Sequence, residues 1–208
     1  MLQVRIMRTL DIPEIAYMAT FQGIEELVYE LTGLLPDVRN YGANSEWLTP
    51  FWVHERNQLD IAHPVAVLEH EEGKYDVDPH IDIVLTAMDL CDITEPSLNF
   101  CIGIASGRTA FISVHHFLPF LESGEEALFC ELVKQETAHE LGHLLLLAVR
   151  EHSTYQALGG HCIDEECVMH QGMTVPTDWI VMVGHRLAKG GRYACPLCHE
   201  DAHRNGML

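Results

Sequence analysis

Apolar and polar residues alternate over residues 2–8, through Leu2, Val4 and Ile6, which predicts a strand with one buried face. Over residues 12–32 the rhythm becomes helical, through Ile15, Met18, Ala19, Ile24, Leu27, Val28 and Leu31, and Gly33 with Pro36 beyond it marks the end. Residues 40–60 hold no clean period; Trp47, Phe51 and Trp52 suggest a short buried helix or loop there. Residues 80–87 (HIDIVLTA) read as a core strand that runs into an acidic loop over residues 89–95. Two more strands are expected at residues 99–105 and 109–114, joined by a hairpin turn at Ser106, Gly107 and Arg108. A long helix is expected from Ser123, where Ser123 and Glu126 fit a capping box, with Leu128, Phe129, Leu132, Val133, Ala138, Leu141, Leu144 and Leu145 as its apolar stripe. Beyond Arg150 the chain is irregular, with glycines at 159, 160, 190 and 191 and a short helix expected over residues 177–188.

The length of 208 residues predicts one domain, divided into a lobe over residues 1–150 and a smaller one over residues 151–208. A hydrophobic share of 48% suffices for a core, while the longest apolar run, residues 144–149, is too short to span a bilayer. A net charge of −19 argues against a phosphate-binding surface and hence against nucleic-acid partners. The opening MLQVRIMRTLDIPEI reads as no signal peptide, so a cytoplasmic protein with reduced thiols is expected. On that basis Cys91, Cys101 and Cys130 are small buried hydrophobes. The oligomeric state leaves no trace in the sequence.

Fourteen histidines direct attention to metal chemistry. Residues 139–143 read HELGH, the HExxH pattern, inside the long predicted helix. Four residues turn a helix by about 400°, so His139 and His143 lie only ~40° apart around the axis and can share one metal. Glu140 is turned ~100° from His139 and can stand beside a metal-polarised water as a general base. A catalytic zinc takes three protein ligands. His152 and His161 are the next candidates for the third, with Glu165 and Glu166 in the position used by other HExxH architectures.

A second constellation lies in the tail. Cys162-x4-Cys167 and Cys195-x2-Cys198 fall within 37 residues that hold little apolar content, and four thiolates so paired suit a tetrahedral structural zinc. A redox CxxC usually opens a helix after a strand, whereas Cys195-Pro196-Leu197-Cys198 follows a glycine-rich loop. An iron–sulfur cluster is the weaker alternative.

His161-Cys162-x4-Cys167-Val168-Met169, with the later Cys195-x2-Cys198, resembles the archaemetzincins, whose pattern is HExxHxxGxxHCx4CxM followed by CxxC. The resemblance extends over roughly residues 80–200 and includes the strand pair ahead of the HExxH helix. It implies an α/β metzincin-like fold, a twisted mixed sheet packed on the N-terminal helix and the HExxH helix, with a small zinc-stapled C-terminal lobe. It implies an antiparallel edge strand along the cleft, assigned to residues 99–105, on which an extended peptide would add. It implies a zinc peptidase with Glu140 as base, His139, His143 and His161 on a catalytic zinc, Cys162, Cys167, Cys195 and Cys198 on a second zinc, Met169 as a hydrophobic floor under the metal, and short peptides as substrates. A zinc-bearing peptide-binding module with little catalysis is the alternative.

The chain departs from the pattern after His143. The family's glycine position holds Leu146, the next ligand position holds Val149, and His161 comes eighteen residues after His143 instead of six, a twelve-residue insertion over residues 146–157. Residues 144–150 are good helix formers, so the helix is expected to overrun by a turn or two. A helical His152 would then face away, about 13.5 Å further along the axis. Gly159 and Gly160 let the chain reverse toward the metal, which favours His161.

Overall fold

The computed structural model describes residues 1–64, 66–67, 80–94, 99–148, 153–156 and 159–204. Its centre is a five-stranded sheet built from β1 (Gln3–Arg8), β2 (Asp37–Ala43), β5 (Ile81–Thr86), β7 (Gly103–Ser106) and β8 (Thr109–Ser113), in the order β2-β1-β5-β8-β7. All neighbours are parallel except β7, which runs antiparallel to β8 at the sheet's edge. Between these come β3 (Trp52–Val53), β4 (Gln58–Asp60) and β6 (Leu90–Cys91), a small separate sheet. A β9–β10 hairpin (Ser153–Gln156 and Gly159–Cys162) follows the helices of the centre. Helices that surround it include α1 (Glu14–Thr32), α2 (Leu118–Glu122), α3 (Glu126–Leu144), α4 (Thr177–Ala188) and α5 (Pro196–Arg204).

Alternation decides which face each strand residue serves. Ile83, Leu85, Ala110 and Ile112 join the main core with α1 and α3, while Val84 and Phe111 point to a second cluster with Leu48, Leu59, Ile61 and Leu90. Both faces of β5 are therefore covered, which is why it reads as an unbroken apolar run apart from Asp82 and Thr86. Asp82 is neutralised across the ladder by its register partner Arg5, whose Nε donates to Oδ1 over 2.6 Å. Among the described residues no helix is long and apolar enough to cross a membrane.

Helix α1 ends at Gly33 in the left-handed conformation, as its sequence predicts. Met18 is exposed; the buried row runs through Ala16, Ala19, Thr20, Gly23, Ile24, Leu27, Val28 and Leu31. The uncertain stretch 40–60 resolves into the end of β2, a 3₁₀ turn over Glu46–Phe51, and β3 and β4. The expected acidic loop contains the short strand β6, and Glu95 falls outside the described residues.

Three expectations need correction. The capping box does not form: Ser123 lies in the turn after α2, its hydroxyl within 3.1 Å of Phe120 O and 3.0 Å of Glu125 Oε1, and α3 starts at Glu126 with no side-chain cap. The edge strand is shorter than residues 99–105, because Cys101 makes only an isolated bridge with Leu90 and the ladder to β8 starts at Gly103. The helix also does not overrun. It stops at Leu144, one residue past His143. Leu146 N–H donates to His143 O and Leu147 N–H to Gly142 O, with Leu146 at φ 55°. That bond pair with a left-handed residue between is a Schellman motif, here closed by leucine at the site where the related pattern has glycine. The helical propensity of the leucine run is overridden by burial of Leu145 and Leu147 on either side of the reversal.

A left-handed leucine costs about 1–2 kcal/mol, of which glycine would recover part while adding chain entropy of about 0.5–1 kcal/mol. Leu146→Gly should therefore leave stability unchanged or raise it by up to about 1 kcal/mol, whereas the β-branched Leu146→Val should lower it by about 1–2 kcal/mol. Urea unfolding of the two variants in the same metal state checks this; equal losses would show that the turn does not depend on the left-handed residue.

Candidate metal and active site

The early stop of α3 leaves His139 and His143 on its last two turns. His139 is buried and its Nδ1–H donates to Val168 O over 2.7 Å, which fixes the tautomer and turns Nε2 outward. The two Nε2 atoms of His139 and His143 stand 3.2 Å apart. Two nitrogens bound to one tetrahedral zinc at 2.0–2.1 Å would stand about 3.3 Å apart. β10 brings His161 to the same point, with its ring 5.3 Å from that of His139 and 4.9 Å from that of His143. The ligating atoms of all three lie within 4.8 Å of one another. Burial, then the neighbouring His161, lowers the His139 pKa to about 4; burial, then His139, lowers that of His143 to about 2. Both are held neutral, the form in which imidazole binds a metal. His152, the competing candidate, lies outside the described residues, while Glu165 and Glu166 lie in the exposed loop between the paired cysteines.

The four tail sulfurs converge as well, all within 4.8 Å. Cys162 Sγ is 3.7 Å from Cys195 Sγ, and Cys167 Sγ is 3.6 Å from Cys198 Sγ. These are not disulfide lengths; tetrahedral zinc with bonds of 2.3 Å would set sulfurs about 3.8 Å apart. Backbone N–H groups of Asp164, Cys195 and Cys198 point at Cys162, Cys167 and Cys195 sulfurs, the hydrogen bonds a thiolate accepts. Hydrogen bonding among the sulfurs drives Cys195 down and drives Cys167 and Cys198 up, so the four cannot all ionise without a cation between them. The CxxC opens a helix, α5, but follows the glycine-rich loop and not a strand, and the convergence of the other two sulfurs further separates it from a redox pair. Of the remaining cysteines, Cys91 is buried and Cys101 and Cys130 are half-buried, and burial pushes Cys101 up to about 12.

One loop serves both clusters. Between Cys162 and Met169 the chain folds back so that Cys162 N–H donates to Met169 O. Val168 supplies the carbonyl for His139, and Met169 packs on α3 where a side chain at position 142 would overlap its sulfur. A side chain at position 142 would force Met169 to shift, so this packing uses a glycine one residue before His143. The loop is tied to α1 through the tail: Val168 N–H donates to Tyr193 O, and the Glu30 carboxylate accepts from Tyr193 and Ala194 N–H at 2.7 and 2.9 Å.

Glu140 is buried and lies beside the edge strand. A Cβ on Gly103 of β7 would overlap carboxyl oxygens of both Glu140 and Glu136, so only glycine permits this contact. Burial, then Glu136, raises Glu140 well above the usual carboxylate range, and burial raises Glu136 to about 7. Trp179 Nε1–H donates to Glu136 Oε2 over 2.7 Å. Glu136, Gly103, Val168 and Trp179 did not emerge from the sequence reading. The only signal for Glu136 was its spacing, four residues before Glu140 and hence on the same helical face.

Neither a protein-family model nor a curated protein sequence matches the chain. Solved structures do. The archaemetzincin of Methanopyrus kandleri is 25% identical, with a TM-score of 0.66, over 100% of this chain and 96% of its own. A zinc-dependent peptidase from Methanocorpusculum labreanum is 18% identical, with a TM-score of 0.65, over 96% of this chain and 99% of its own.

Metal content separates the two clusters. Zinc analysis should find two ions per chain; His161→Ala should remove one and leave the sulfur site loaded, and Cys198→Ser should remove the other and free the tail to limited proteolysis. Full zinc retention by His161→Ala, or a protected tail in Cys198→Ser, would contradict this assignment.

Proposed function

We propose that this chain, whose fold is archaemetzincin-like, is a zinc metallopeptidase that hydrolyses peptide bonds, with short peptides as its substrates. The observation that carries this reading is the convergence of three imidazoles on one point, with the buried Glu140 on the same helix under the open edge of a sheet. His139, His143 and His161 hold the catalytic metal, and Cys162, Cys167, Cys195 and Cys198 hold a structural one. When bound, zinc supplies Lewis acidity at this point, polarising a water and the scissile carbonyl.

The chain's own residues do the rest. β7 ends the five-stranded sheet, so an extended substrate lies along it as a further strand and its main chain is held by ladder hydrogen bonds. Glu140, reached across Gly103, accepts a proton from the attacking water and delivers it to the leaving amine. Val168 O keeps the His139 ring in one tautomer and orientation throughout.

Glu140→Gln preserves shape and removes the proton acceptor. It should retain both zincs and lower kcat on a mixture of short fluorogenic peptides by about 10²–10⁴-fold. Retained turnover would remove Glu140 from the mechanism; loss of the metal would make it a ligand or a support of one.

A further inference from the structure

A carboxyl group is an expensive residue to seal between a helix and a sheet. Glu136 is fully buried there, on the face of α3 that meets β7. Four residues from Glu140, it projects only ~40° away around the helix and one turn earlier. Its Oε2 is held by the Trp179 indole N–H at 2.7 Å, and Trp179 is itself seated over Gly172, where a Cβ would overlap the ring. Its Oε1 lies with the Glu140 carboxyl in the space that Gly103 leaves by having no side chain. There the Glu136 and Glu140 carboxyls are hydrogen-bonded side chain to side chain. An apolar side chain of similar volume would fill this position at lower cost.

We propose that Glu136 is the positioning residue for Glu140: anchored by Trp179, it backs the Glu140 carboxyl beneath Gly103 and fixes the direction in which that carboxyl faces the three imidazoles. The proposal rests on the peptidase reading and adds to it a line of support, from the loop after Met169 through Trp179 and Glu136 to Glu140. Position matters at this point because a base displaced by even about 1 Å loses catalytic efficiency. Glu136 touches neither substrate nor metal. Its effect is confined to the step that Glu140 performs, so it acts on kcat and leaves KM and metal content alone.

Glu136→Leu keeps the volume and removes the polar contact. It should fold with equal or greater thermal stability, keep both zincs and its KM, and lose about 10–100-fold in kcat. Glu136→Gln can still accept from Trp179 and can donate to Glu140, and should recover kcat to within about 3-fold of the parent. Trp179→Phe removes the indole donor together with part of the ring and should lower kcat in the same sense without loss of zinc. Unchanged kcat in Glu136→Leu, or a loss that merely follows zinc loss, overturns the proposal; if that variant fails to fold, the Trp179→Phe and Glu136→Gln pair decides in the same terms. If the zinc-loaded parent turns over no peptide, the peptidase reading falls by itself. The positioning role is then read from the crystal structure of zinc-loaded Glu136→Leu: a rotated Glu140 carboxyl supports it, and an unmoved one overturns it.

Discussion

The architecture of both sites turns on one dipeptide. His161 and Cys162 are consecutive residues of β10, and consecutive strand residues point to opposite sides. One is delivered to the histidine cluster and the other to the sulfur cluster. The register of the hairpin, with His161 opposite Thr154 and Cys162 opposite Ser153, therefore sets both at once; a slip of one residue would turn each to the opposite side. Cys162 N–H then bonds to Met169 O, which closes the loop whose Val168 carbonyl orients His139.

Helix α3 shows what this arrangement costs. The buried side of its second half is only partly apolar: Gln135, Glu136, Thr137, His139 and Glu140 are sealed in beside Ala138, Leu141 and Leu144. A helix with such a face gains little from the hydrophobic effect there, so its place depends on Phe129, Leu132, Val133, Ala138 and Leu141, and on packing against α1. α1 in turn carries the Glu30 carboxylate that holds the backbone of the tail just ahead of Cys195. The polar row is placed by its neighbours and not by its own burial energy.

Much of this was legible in the residues. β1, β5, β8, α1 and α4 follow from periodicity, whereas the mostly exposed β2 shows no apolar alternation and escaped it, and the histidines and paired cysteines announce themselves because few other spacings bring so many ligand atoms together. What escaped reading was conformational or three-dimensional. Leucine is a strong helix former, so nothing local shows that Leu146 takes φ 55° to end α3; the cause is the burial of its neighbours Leu145 and Leu147. Ser123 and Glu126 have capping spacing, but α2 and the reversal at Gly124 (φ 84°) move the start of α3 past them. Glu136 looks like any helical glutamate until Gly103, thirty-three residues earlier in the chain, is seen to lie against it.

The shared dipeptide also bears on how the protein would be charged with metal. If each cluster takes an ion, closing the sulfur cluster fixes Cys162 and with it the backbone of His161, so the histidine cluster no longer has to order that strand for itself. The entropy is lost once and serves two binding events, which is positive coupling without any contact between the ions. Thermodynamic reciprocity requires the effect to run both ways. Half-loaded chains would then be scarce, and the population would pass from empty to doubly filled over a narrower range of free zinc than two independent sites would give.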